Sequence, residues 1–231
     1  MEKVMGFLLE KMWPVICESV RDARLLIQST SSFFDEMKKR KEICSRAWLF
    51  GVAVAIGLST LGLPASRSAG IVPSFEFASV MTLTNWLLIA LYGVCFGFAA
   101  RLLGAHNKIL ASANTFFYLS GWLFLLKLFE MPALGSRLKA MAQSCTAIGY
   151  GEAVSSAIQK SAVALMSNFL VFIGYAVFTL LIFQMYRSVH EFGRARALLA
   201  TVIGMLFLSI AISYVQRPAI SQLVCGYVGH S

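Results

Sequence analysis

The side chains of this chain that could do chemistry are few, and each lacks the neighbour its chemistry would require. Three histidines, His106, His190 and His230, fall in two connections and in the C-terminal tail. A metal site would set them beside thiolates or carboxylates at close spacing. No such cluster accompanies them, so they read as lone, solvated loop side chains. Ser120-Gly121 could offer a nucleophile, but a serine hydroxyl is activated by an adjacent base, and no histidine shares its apolar stretch. Only Glu76 and Glu130 among the acids lie near the apolar stretches. A membrane phosphotransferase holding Mg²⁺ needs several carboxylates at one depth. A Gly-rich phosphate loop, a Cys-x-x-Cys pair and a His-Glu-x-x-His motif are all missing. The expectation is therefore a chain that is not an enzyme, with no catalytic, cofactor-binding or metal-binding residue and no cofactor.

The remaining polar groups suit packing better than reaction. Lys127 and Glu130 stand three apart and can pair on one helical face, either as a relay or as a lysine reaching for the headgroup layer. Asn85, Asn114, Thr115, Tyr118, Asn168 and Gln184 sit inside apolar runs. Asn114 and Tyr118 are one helical turn apart, placed for interhelical hydrogen bonds of about 0.6–2 kcal/mol or for lining a substrate path. Ala90, Gly93, Gly97 and Ala100 recur at steps that keep them on one face. That small-residue strip, with Gly93 and Gly97 as a Gly-x-x-x-Gly pair, permits close backbone approach by an internal helix or by another subunit. Of the five cysteines, Cys17 and Cys44 lie in the N-terminal arm, on the side read as cytoplasmic, and Cys95 lies in the second apolar run. Cys145 and Cys225 fall on a common side of the chain's topology. In an oxidising compartment they could form a disulfide clipping a long connection to the tail; two free thiols are the alternative.

The elements that must position these residues are five apolar runs, at about 47–63, 78–100, 109–129, 162–186 and 197–214. Runs of roughly 18 or more apolar residues match a hydrocarbon layer ~30 Å thick. Only 13% of the 231 residues are charged, against about 25% in a soluble domain. Such a surface would not dissolve in water. The predicted fold is all-α: a polytopic membrane helix bundle of five transmembrane helices over 47–214. An amphipathic N-terminal arm precedes it over 1–46 and a short tail follows over 215–231. A net charge of +9 would suggest nucleic acid in a soluble protein. Here the cations flank the spans, and no nucleic-acid partner is expected. Lys and Arg on one side number nine in the arm, two over 101–108 and three over 187–196; the other side carries five. The positive-inside rule then places the N-terminus in the cytoplasm and the C-terminus in the periplasm, the extracellular space or a lumen. No cleavable leader is expected, because Glu10, Lys11 and Pro14 interrupt the first apolar stretch. The connection over 132–161 is long enough for a cap, or is a plain connector.

The arm holds nine Lys/Arg and seven Asp/Glu. Its apolar residues recur at Val4, Phe7, Leu8 and Met12, then at Val15, Ile16, Val20 and Ile27, which predicts two short helices broken near Pro14. They would lie along the headgroup layer or stand solvated as an arm. Phe33-Phe34 would fix the approach to the first span. Lys38, Lys39, Arg40, Lys41 and Arg46 are the candidate contacts to anionic lipid headgroups or to a protein partner, each unpaired cation contributing on the order of 1 kcal/mol near an anionic leaflet.

Three segments carry a family resemblance: Ser31-Ser32-Phe33-Phe34-Asp35-Glu36-Met37 in the arm, Phe98-Ala99-Ala100-Arg101-Leu102-Leu103-Gly104 after the second span, and Thr115-Phe116-Phe117-Tyr118-Leu119-Ser120 in the third. Over about 31–214 the chain resembles the Yip-domain family, bacterial-type members included. These are five-span membrane proteins that in eukaryotes interact with Rab GTPases in vesicle traffic. The Asp-Leu-Tyr-Gly-Pro element of eukaryotic members is replaced here by Ser32-Phe33-Phe34-Asp35-Glu36. The resemblance implies a cytoplasmic N-terminus, no catalysis and interaction with other membrane components. Function is thus expected to be the binding or organising of membrane partners: lipid, other membrane proteins or a second copy. The alternative is a subunit of a transporter or channel complex, with Asn85, Asn114, Tyr118 and Asn168 along a polar path.

Overall fold

Lipid offers no partner to an open backbone N–H or C=O, so segments this apolar close their hydrogen bonds internally as helices. Every regular element among the described residues of the computed structural model (2–39, 44–68, 70–106, 109–145 and 162–228) is helical. In chain order they are α1 (Glu2–Gln28), α2 (Thr30–Lys39), α3 (Ser45–Ser68), α4 (Phe75–Leu102), α5 (Ile109–Ser144), α6 (Ala162–Val189) and α7 (Arg194–Ala211). A π-helical turn (Ile212–Gln216) and α8 (Arg217–Val228) complete the order. Five stretches are long and apolar enough to cross a bilayer: Ser45–Arg67, Phe75–Leu102, Ile109–Met131, Met166–Val189 and Arg194–Tyr227. The shortest, at 23 residues, extends about 35 Å at ~1.5 Å per residue, enough for the hydrocarbon layer. The chain is an all-α, multi-pass membrane protein.

Boundaries differ from the sequence reading in α1, in α3, whose helix runs past 63 through Pro64 to Ser68, and in the third and fifth spans, where tertiary packing outweighs a local signal. Pro14 lies inside a continuous α1 rather than between two helices. The third span does not stop near 129. Its helix runs to Ser144 because Leu134 and Leu138 are buried against Phe77 and Val224. The fifth does not give way to a tail at 215 but continues through the π-helical turn into α8, where Val224 is buried and Ile220, Leu223 and Tyr227 pack beside it. The segment 152–160, read as a short amphipathic piece, lies outside the described residues.

Glycine ends two of the spans in the same way. Gly70 (φ 83°) and Gly104 (φ 75°) take left-handed backbone conformations after α3 and α4, a geometry that costs an L side chain about 1–2 kcal/mol. Gly70 N–H donates to the Arg67 carbonyl and Ile71 N–H to that of Ser66; Gly104 and Ala105 repeat the pair with Arg101 and Ala100. Two otherwise unpaired helix-end carbonyls are thereby satisfied at each end, and the following residue, Ile71 or Ala105, is buried.

The residues form two compact units. The first comprises Met1–Val54, Ile89–Gly121 and Leu181–Leu208. Its core is aromatic: Phe33, Phe34, Phe96, Phe116, Phe117, Tyr118 and Tyr186 are fully buried. α4 and α5 approach backbone to backbone there. A Cβ on Gly93 would lie 2.8 Å from Ala113 Cα, and one on Gly97 2.9 Å from the Ile109 carbonyl oxygen. The second unit comprises Ala55–Leu88, Trp122–Leu180 and Ser209–Ser231. Ala65, Ile71, Phe77, Leu134, Leu138 and Val224 form its core, with the Phe77 and Tyr227 rings 5.1 Å apart. Asn85 Nδ2 donates to Ser59 Oγ (3.0 Å) and Trp122 Nε1 to the Gly174 carbonyl (2.9 Å). Lys127 Nζ and Glu130 Oε2 pair at 3.1 Å, which offsets part of the cost of holding either charge in a span. Cys145 and Cys225 are disulfide-bonded, Cα to Cα 5.7 Å, tying the end of α5 to α8.

Candidate functional site

The first unit carries a concentration of buried polar groups where the arm meets α3, α5 and the α6–α7 turn. α1 places Ser19 and Asp22 three residues apart on one face, and both are buried. Tyr118, three turns into α5, donates its hydroxyl to Asp22 Oδ2 at 2.8 Å. Ser19 Oγ lies 2.7 Å from the Val15 carbonyl and 3.0 Å from that of Arg46, sharing its one proton between them. Glu18 on the same helix pairs with the Arg46 guanidinium. The face of α1 that alternation assigns to water is the face that docks.

α2 follows through apolar contacts. Phe33, Phe34 and Met37 are buried, and the Phe33 ring meets Tyr118 edge-on at 5.4 Å between centroids. Phe50 of α3 packs on the same tyrosine at 5.2 Å. Asn114, one turn before Tyr118, accepts from the Cys44 backbone N–H (3.3 Å) and from Trp48 Nε1 (3.1 Å) on its Oδ1. Asn114 therefore fixes the start of α3, and Tyr118 fixes the arm.

The α6–α7 turn is the third component. His190 is buried, against the expectation of a solvated histidine, because α5 supplies a partner: Ser112 Oγ lies 2.7 Å from its Nε2. Tyr186 and Phe192 flank the ring at 5.9 and 5.8 Å, and His190 Nδ1 has no hydrogen-bond partner. Burial favours the neutral imidazole, and the pKa of His190 is pushed down to about 4. His106 is exposed, as read, and His230 lies outside the described residues. Glu191 holds a left-handed φ of 57°, costly for a residue with a Cβ. Its hydrogen bond and ion pair with Lys38 lower its pKa, but solvent screens a pair this exposed and leaves it little weight in stability. The turn's shape rests on more than that pair. Phe192 N–H donates to the Tyr186 carbonyl (3.3 Å), Arg196 lies 4.5 Å over the Phe192 ring, and Arg196 also donates to the Leu103 carbonyl.

Of the five cations read as lipid or partner contacts, Lys38 pairs with Glu191 and Arg46 with Glu18, while Lys39 is exposed. Arg40 and Lys41 lie outside the described residues. In the small-residue strip, Gly93 and Gly97 face α5 within this unit, and Ala100 is buried while Ala90 is half-buried. Asp22, Ser112, Glu191 and Arg196 had no motif to single them out. Asp22 could have been found only from its i, i+3 relation to Ser19 on α1.

The arrangement can hold helices in register and present a shaped surface. Among the described residues, no group of three or more His, Cys, Asp or Glu side chains is gathered as a metal ion would need. Compared with models of protein families, with curated proteins and with solved structures, the chain matches none.

Proposed function

We propose that this is a non-catalytic membrane protein of Yip-like type that binds or organises partners in or at the bilayer. Its N-terminal arm is the contact surface, with the N-terminus in the cytoplasm and the C-terminus on the opposite, oxidising side. The observation that carries this reading is the seating of the arm. Asp22 and Phe33 both engage Tyr118, so α1 and α2 form a fixed platform at the mouth of the spans. A platform of that kind suits recognition; the buried hydroxyls and amides beneath it are occupied in holding it. Phe33 and Tyr118 also belong to two of the three segments that carry the Yip resemblance, and those segments meet ring to ring. The partners are membrane lipid, another membrane protein or a second copy of the chain.

Purification in mild detergent followed by mass spectrometry of the intact assembly tests the proposal. Co-purification of a stoichiometric protein or lipid that is lost when Phe33→Ala and Phe34→Ala unseat the arm is the expected result. A bare monomer with and without these changes would refute it. A transporter or channel subunit would need Asn85, Asn114 and Tyr118 on a water path. Each is engaged with protein groups, which supports packing instead. Labelling of cysteines placed at these positions by a water-soluble maleimide is expected to fail; ready labelling would favour transport.

A further inference from the structure

Among the described residues, the docked face of α1 leaves its other face without a protein partner, and from Trp13 to Ile27 that face is apolar. Trp13, Ile16, Val20 and Ile27 are 60%, 38%, 60% and 85% exposed. At ~100° per residue these four positions fall within an arc of about 60°. Of the two residues that tie the helix down, Asp22 lies roughly opposite and Ser19 on the flank, about 90° from the middle of the arc. Arg21 and Arg24, both exposed, follow along one edge of the arc. An exposed apolar stripe containing a tryptophan and edged by guanidinium groups is the pattern of a helix lying in the plane of a membrane interface.

Depth fixes the occupant. Glu18 and Ser19 are bound to Arg46, the second residue of α3, where the first span begins. Asp22 is bound to Tyr118, one turn (about 6 Å at ~1.5 Å per residue) past Asn114, the α5 residue that meets the start of α3 at the Cys44 N–H. The middle of α1 is thus held between the mouth of one span and the interior of another, at the level where headgroups meet acyl chains. We infer that the Trp13–Ile16–Val20–Ile27 stripe of α1 is a membrane-docking surface inserted into the headgroup–acyl boundary, with Arg21 and Arg24 binding the phosphates of anionic lipids. This deepens the proposed function: it rests on the five-span reading and moves the lipid contact from the 38–46 cations, two of which are held in ion pairs, to α1.

The test uses the full chain, with Cys17, Cys44 and Cys95 replaced by Ser and the Cys145–Cys225 disulfide kept. It is reconstituted in vesicles of phosphatidylcholine and phosphatidylglycerol. Nitroxides are attached at Ile16→Cys, Val20→Cys and Ile27→Cys, and at Phe172→Cys on the exposed face of α6 as an acyl-chain reference. Relative collision rates with oxygen and with aqueous Ni(II)-EDDA report the surroundings of each label. Oxygen is expected to dominate at all three α1 positions, as at 172. The ratio on α1 is expected to fall several-fold in phosphatidylcholine alone or when Arg21→Gln and Arg24→Gln are combined. Nickel dominance on α1 alone would overturn the docking surface, whereas nickel dominance at 172 as well would overturn the spanning reading beneath it. Exclusion of both colliders with dipolar broadening between labels would mean that a second copy covers the stripe, and the lipid assignment would fall. An oxygen-dominated ratio indifferent to phosphatidylglycerol and to both arginine changes would overturn the role given to the guanidinium groups.

Discussion

At the scale of single residues, His190 is where environment most changes behaviour. Its Nε2 is satisfied by Ser112 while its Nδ1 is buried without a partner. A protonated ring would have to bury a charge with one N–H undirected, which is why its pKa falls to about 4 from an ordinary 6.5. The sign of the linkage follows. Between those values the unfolded chain binds a proton that the folded chain refuses, so stability drops as pH falls from about 6.5 towards 4. The total loss is about 3 kcal/mol, from ~1.4 kcal/mol per pKa unit. Glu191 acts in the same direction lower down: its pKa is depressed by Lys38, and that contribution fades as acid protonates the carboxylate. Thermal unfolding in detergent at pH 7.5, 6 and 5 should show a midpoint that declines with acidity. His190→Phe, which keeps an aromatic ring between Tyr186 and Phe192, should flatten the decline between pH 6.5 and 5. An equal slope in the variant would assign the acid sensitivity elsewhere.

At the scale of elements, the close approach of α4 to α5 and the tie between α5 and α8 have separable consequences. At Gly93 a new side chain meets the backbone of Ala113 at 2.8 Å, and backbone cannot swing aside as a flexible side-chain end can. Gly93→Leu should therefore cost about 1–3 kcal/mol or more by overpacking. Gly226 in α8 has nothing within 4 Å of the equivalent position, so Gly226→Ala should stabilise by about 0.5–1 kcal/mol through helix propensity alone. Opposite shifts in unfolding temperature check the pair; a neutral Gly93→Leu would show that α4 and α5 stand further apart than described. In native membranes, alkylation should modify Cys145 and Cys225 only after reduction, and two thiols reactive from the outset would contradict the disulfide. The element scale also separates what the sequence discloses from what it withholds. Span number and the central positions of the spans are legible because twenty-odd apolar residues admit one interpretation. So is the strip at Gly93 and Gly97, because its spacing is helical. The continuity of α1 through Pro14, the length of α5 and the burial of His190 are not. The last two depend on partners distant in sequence: Phe77 and Val224 for α5, Ser112 for His190. Local pattern assigns a polar residue to water unless something names the group it will meet, and Asp22 shows how a polar face can be the docked one.

At the scale of the whole molecule, topology joins the charge asymmetry to the chemistry of the cysteines. With five candidate spans, the proposed topology puts the two chain ends on opposite faces of the membrane. The excess of Lys and Arg in the arm and in the connections over 101–108 and 187–196 supports the proposed placement of those segments in the cytoplasm. On that orientation the free thiol of Cys17, which is exposed, lies in a reducing compartment. The Cys145–Cys225 bond lies in the one where a disulfide persists. The proposed orientation is thus supported by two separate physical rules, one about translocating cations and one about thiol redox. The arrangement can be tested without disturbing the fold by placing a short protease-cleavable tag on each end and treating sealed vesicles of known sidedness. Cleavage of the N-terminal tag from the cytoplasmic face, with the C-terminal tag protected until the vesicles are opened, is the expected outcome. Cleavage of both tags from one face would mean an even number of crossings. One of the five stretches would then lie along or outside the bilayer, and both the charge argument and the seating of α1 at the cytoplasmic boundary would lose their footing together.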